Sequence, residues 1–150
     1  MRCVGLAAVA AMIASGPSSA GSAGSQYQGH VSDYPTSRVA FRISAELRSV
    51  RFKADNIELF CDDGGHPRED LAPIRLDFTS RRNFEGSRYK VEPDGTETYY
   101  KVSGRLLGGN RARGSLIVFV NVENPPGSPQ ATAPDCSTGG GKYAWHAKRQ

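Results

Sequence analysis

From Tyr27 onward the chain is a succession of short runs in which apolar and polar residues alternate. Val39, Phe41 and Ile43 are spaced by two, with Arg38, Arg42 and Ser44 around them. Val50 and Phe52 repeat the pattern between Arg51 and Lys53; Ile57, Leu59 and Cys61 form a third run, and Ile74, Leu76 and Phe78 a fourth. Tyr89 and Val91 lead into Pro93-Asp94-Gly95, and Tyr100, Val102, Gly104 and Leu106 end at Gly108-Gly109-Asn110. Leu116, Val118, Val120 and Val122 follow, and Tyr143, Trp145 and Ala147 close the chain. A period of two sends alternate side chains to opposite faces of a strand, one inward and one to solvent.

No stretch sustains a helical period. Ser44 to Lys53 fits alternation at least as well, and the competing α+β reading rests on one short helix near Glu69 to Ala72. The Pro93-Asp94-Gly95 and Gly108-Gly109-Asn110 segments suit hairpins, because Gly accepts the positive φ that tight turns need. Roughly seven to nine short strands with closely spaced turns predict an all-β fold. The expected form is an antiparallel β-sandwich, with a partly open β-barrel as the alternative. An immunoglobulin domain carries its Trp between two cysteines, whereas Trp145 follows the second, so that version fails. Two polar segments interrupt the rhythm: Asp62 to Asp70, and Glu123 to Asp135, which holds four of the nine prolines and is expected as a long surface loop.

The first 20 residues read differently. Arg2, a 12-residue apolar run from Cys3 to Ala14 and the small residues up to Ala20 match a secretory signal peptide. As a helix that run would cover about 18 Å of a hydrocarbon layer roughly 30 Å thick, too little for a membrane anchor. The expected organisation is a leader over residues 1–20, a flexible tail over 21–26 and a single domain over 27–149. No membrane span remains once the leader is removed, and the product is secreted or periplasmic. Cys3 leaves with the leader, so Cys61 and Cys136 remain, and in an oxidising compartment two such thiols should join. The bridge would span 75 positions. The chain-entropy argument gives it about 4 to 5 kcal/mol, and real bridges usually deliver about 2 to 4.

Candidate chemistry is sparse. His30, His66 and His146 form no i, i+4 or H-x-H pair, so neither a metal nor another cofactor is expected. Asp62, Asp63 and His66 read as a hydrated acidic loop, without the ligand spacing of a calcium loop. There is no G-x-S-x-G elbow, and Gly139-Gly140-Gly141 lacks the Lys and hydroxyl residue of a phosphate-binding loop. No residue is assigned a catalytic role.

Charge changes the picture modestly. The formal net charge is +4, and Arg outnumbers Lys by 14 to 5. Arg42, Arg51, Arg75, Arg105 and Arg113 fall mostly on outward positions. Both signs are interspersed there, which argues against a nucleic-acid reader; the expected reading is a solvated strand face, with at most weak attraction to anionic envelope polymers. Leu116 to Val120 is apolar on both faces, so Ile117 and Phe119 point outward, as do Phe60, Tyr99 and Leu107 by the same alternation. Either a loop covers them, or Phe60, Tyr99, Ile117 and Phe119 form a contact patch.

Taken together, Tyr27-x-Gly29, the Val39-x-Phe41-x-Ile43 strand, a first cysteine closing a later strand and the Pro73 to Phe78 strand resemble a group of uncharacterised secreted bacterial β-domain proteins. So does the ending Cys136-Ser137-Thr138-Gly139, then Trp145, Ala147 and Arg149. The similarity covers most of Tyr27 to Arg149, with His30 where that group has Thr or Ser. It implies a disulfide-bridged all-β domain and assigns no catalytic residue. The expected function is a non-enzymatic module that binds a protein, a glycan or an envelope component. The competing class is an extracellular hydrolase with a dispersed carboxylate or histidine site, which a pocket bringing a histidine within hydrogen-bond distance of a carboxylate would favour; carboxylate pairs from distant strands stay open as well.

Overall fold

The computed structural model describes residues 24–93, 95–121, 135–139 and 141–150. They form β1 (Gln26–Val31), β2 (Tyr34–Ile43), β3 (Ser49–Glu58), β4 (Phe60–Cys61), β5 (Arg68–Phe78), β6 (Asn83–Val91), β7 (Glu97–Leu107), β8 (Arg111–Val120), β9 (Cys136–Ser137) and β10 (Tyr143–Arg149). All pairings are antiparallel. β1, β2, β3, β5, β6, β7 and β8 are neighbours in that order, and β10 lies between β8 and β1. Eight strands therefore close into a barrel, with β9 and β4 added beside the far end of β8.

The all-β expectation holds, but the sandwich does not form; the partly open barrel does. Alternation states which face of a strand is inward and is silent on what lies opposite. The deciding fact is that β10 uses both of its edges: Ala147 opposes Gly29 of β1 and Ala112 of β8. Closure of this kind removes the free edges that a sandwich would have to protect.

The wall is not uniform. β5 and β6 pair only through Asp77 with Glu85 and Phe78 with Phe84. Beyond that point they diverge, and Pro73, which has no N–H to donate, sits where β5 shifts register against β3. Side chains bridge the opening: Arg88 Nη1 donates to the Pro73 carbonyl at 3.0 Å, and the Tyr100 hydroxyl donates to the Ala72 carbonyl.

Three local expectations are corrected. The second run and the start of the third, at Ile57, share one bulged strand, β3, while Cys61 belongs to β4. Asn56 turns β3 with a φ of 59°, donates Nδ2 to the Thr36 carbonyl, and takes Asp70 Oδ1 on its amide. Glu69 to Ala72 is strand, not helix, and the polar loop ends at Pro67. Tyr89 and Val91 are 37% and 54% exposed, so β6 has the opposite parity; Phe84 is its buried residue. The leader, Asp94, Val122 and the prolines from Pro125 to Pro134 lie outside the described residues.

Aromatic rings fill the interior. Trp145 is fully buried, with ring centres 5.8 Å from Phe41, 5.6 Å from Phe52 and 6.3 Å from Phe84. Tyr27 stacks on Phe41 at 4.6 Å. Each such pair adds about 0.5–1.5 kcal/mol beyond its buried area. Space for the indole comes from Gly104 and Gly114, direct partners across β7 and β8. A methyl group on Gly114 would lie 2.3 Å from Trp145 Cζ2, and one on Gly104 would lie 2.3 Å from Phe84 Cζ.

The cysteines are bonded, Cys61 to Cys136, as opposed partners of β4 and β9. Replacing both with serine should cost about 2–4 kcal/mol in denaturant unfolding; an unchanged midpoint would show that the bridge is energetically idle. Gly114→Ala should cost about 1–3 kcal/mol or more, because its methyl would meet the Ser103 carbonyl oxygen at 2.0 Å as well as Trp145, and a neutral result would contradict this tight fit.

Candidate functional site

Cross-strand register turns scattered basic residues into rows on the outside of the barrel. One row runs Asn83, Arg105, Arg113, His146, His30, Arg38, Asp55 across seven strands. A second runs Leu107, Arg111, Lys148, Gln28, Ala40, Lys53. A third runs Gln26, Arg42, Arg51, Arg75. Neighbouring strands lie about 4.8 Å apart and alternate residues about 6.7 Å apart along a strand. Arg105 and Arg113, Arg111 and Lys148, and Arg42, Arg51 and Arg75 thus stand on adjacent strands, within the screening length of about 8 Å at physiological salt, and their fields add.

Few acids answer them. Lys53 pairs with Asp55 at 2.8 Å and Arg75 with Asp77 at 3.6 Å. Arg38, Arg42, Arg51, Arg105, Arg111, Arg113 and Lys148 make no ion pair among the described residues. Three arginine pairs, Arg105 with Arg113, Arg42 with Arg51 and Arg51 with Arg75, are direct cross-strand partners. Like charges so placed cost roughly 0.2–1 kcal/mol each. Folding alone gives no reason for that arrangement.

Among the hollows in this wall, two differ in lining. The larger, about 530 Å³, lies over the Gly104–Gly114 pair and is walled by Arg105 and Arg113 with Ser103, Ser115, Asn83 and Thr79; Glu85 is its one acid. The serine hydroxyls are hydrogen-bonded to each other at 2.9 Å. The smaller, about 230 Å³, forms where Ala40 leaves room between Arg42, Arg51 and Lys53, with Tyr27, Phe41 and Pro73 contributing carbon.

The histidines do not assemble a catalytic pair with an acid. His66 Nδ1 stands 3.7 Å from Glu58 Oε1, beyond hydrogen-bond distance, and shares that carboxylate with Arg68. His30 and His146 meet edge to face at 4.1 Å, and Ser32 Oγ lies 3.5 Å from His146 Nδ1 on the exposed wall. Among the described residues no cluster of three metal-ligating side chains occurs.

The apolar residues Phe60, Tyr99, Ile117 and Phe119 are brought to one end of the barrel. Tyr99 and Phe119 are partners in register and stack at 6.2 Å, and Ser137 separates Phe119 from Phe60. All four are half-buried, and Phe60 packs against the core and against His66.

The β5–β6 opening holds a third hollow of about 270 Å³, where Asp55, Glu69, Asp70 and Glu92 face Lys53 and Lys90. Partial desolvation beside the hollow, then the neighbouring carboxylates Asp70 and Glu92, raise the carboxyl of the solvent-exposed Glu69 above its ordinary value. Burial likewise raises the Tyr100 phenol, whose hydroxyl holds the opening together.

Comparison of the chain with protein-family models, curated proteins and solved structures finds no match, so no activity is carried over from a relative. Sequence reading identified the outward arginines but not their rows, because rows depend on register and on β10 lying between β8 and β1.

The Glu69 shift sets a testable sign. A carboxyl raised on folding carries a penalty that is absent below its unfolded pKa and complete above its folded one. Glu69→Gln should therefore raise Tm at neutral pH, with the gain vanishing as pH falls through the carboxyl range. A gain that persists in acid would contradict this origin.

Proposed function

We propose that this chain is an exported, non-enzymatic barrel domain that binds an acidic polysaccharide of the cell envelope or its surroundings. The observation that carries the reading is the outer wall: seven basic side chains without ion pairs, set in cross-strand rows on a rigid frame. A glycan suits this wall better than nucleic acid. Single-stranded nucleic acid needs stacking platforms, and the three rows offer arginine and lysine without exposed Phe, Tyr or Trp between them. The apolar leader supports export, and the disulfide is the kind of bond that persists in an oxidising compartment.

Electrostatic attachment of this kind predicts steep salt dependence. The protein should be retained on immobilised uronic-acid or sulfated polysaccharide at about 50 mM salt and released by a few hundred millimolar, while a neutral glucan retains nothing. Replacing Arg38, Arg51 and Arg113 with alanine should weaken retention at least tenfold while Tm holds or rises, since like-charge pairs are relieved. Equal retention on the neutral polymer, or retention unaffected by salt, would overturn the proposal.

A further inference from the structure

Resting on that reading, we infer that the hollow between Arg105 and Arg113 is a discrete subsite for a sulfate or phosphate ester group of the polymer. Its construction differs from the rest of the wall. Two guanidinium side chains stand directly opposite each other on β7 and β8, and neither has an acidic partner among the described residues. Between the same two strands, one step along, lie the hydroxyls of Ser103 and Ser115, with the Asn83 amide on the far side of Arg105. Guanidinium groups offer planar, paired N–H donors, and hydroxyl and amide groups add short donors from the sides. A tetrahedral oxyanion uses all of these at once, whereas a planar carboxylate uses fewer.

The floor explains how the group comes close. Gly104 and Gly114 face inward, where Trp145 and Phe84 fill the space their side chains would need, and on the outer face the surface between the arginines and the serines is backbone. The Ala40 hollow also has an arginine pair, and the Gln26 and Gln28 amides line it, but it is smaller, lacks the paired serine hydroxyls and adds Tyr27, Phe41 and Pro73 carbon. It fits the apolar face of a sugar ring better than a charged ester. Glu85 at the rim of the larger hollow disfavours an extended run of anions there and suits a single group.

The test is a titration of the protein with inorganic sulfate and, separately, inorganic phosphate, followed by backbone amide chemical shifts. Shifts centred on Ser103, Gly104, Gly114 and Ser115, saturating at millimolar anion, are expected. Arg105→Ala/Arg113→Ala should abolish them, while Arg42→Ala/Arg51→Ala, with the same loss of charge, should leave the anion affinity within twofold. The anion that binds tighter identifies the ester the polymer carries. Shifts spread along the whole wall, or equal losses in both double variants, would overturn the subsite. If the protein still bound acidic polysaccharide in that event, the broader reading would stand; loss of polymer binding by the unaltered protein would remove that reading instead.

Discussion

β10 is hydrogen-bonded along both edges, to β8 on one side and β1 on the other, while its Trp145 fills the space inside. That double pairing is the constraint on which the rest of the structure depends. Without it β1 and β8 would be free edges, the aromatic cluster around the indole would lie open at one side, and two of the three basic rows would be cut. Packing and closure support each other here. The indole requires two glycines opposite it, and those glycines let β7 and β8 pass close over the ring.

A closed antiparallel wall has a functional consequence that an unstructured basic chain lacks. Side chains two residues apart share a face, and register fixes which residue on the next strand stands beside them. Arg105, Arg113 and Arg38 belong to one row although they are distant in sequence. The cost of setting like charges side by side is borne by the folded frame. It is recovered when an anion lies between them. The disulfide contributes at the other end, fixing β9 to β4 beside the half-buried Tyr99, Ile117 and Phe119.

Much of the fold was legible in the residues because period-two alternation is a local signal. Val39, Phe41, Ile43, Val50, Phe52, Leu76, Val102, Leu116, Val118, Tyr143 and Trp145 all face the core as their spacing implied. Local signals failed where a single residue reversed parity. At Asn56 a left-handed turn joined two apparent strands into one, and in β6 the exposed Tyr89 and Val91 looked like core, because apolar character alone does not reveal which face meets water. Closure was not legible, since a sandwich and a barrel impose the same alternation. The basic wall was half legible: outward arginines could be named, but their alignment needed the register. The leader and the proline-rich segment lie outside the described residues.

Closure is tested most directly by cross-strand proton contacts in solution. Because β10 lies between two partners, nuclear Overhauser contacts should run from His146 to His30 and, in the same molecule, from His146 to Arg113, with slow amide exchange on both edges of β10. Contacts to one neighbour only, with fast-exchanging amides on the other side, would show an open sheet and contradict the barrel and the wall built on it.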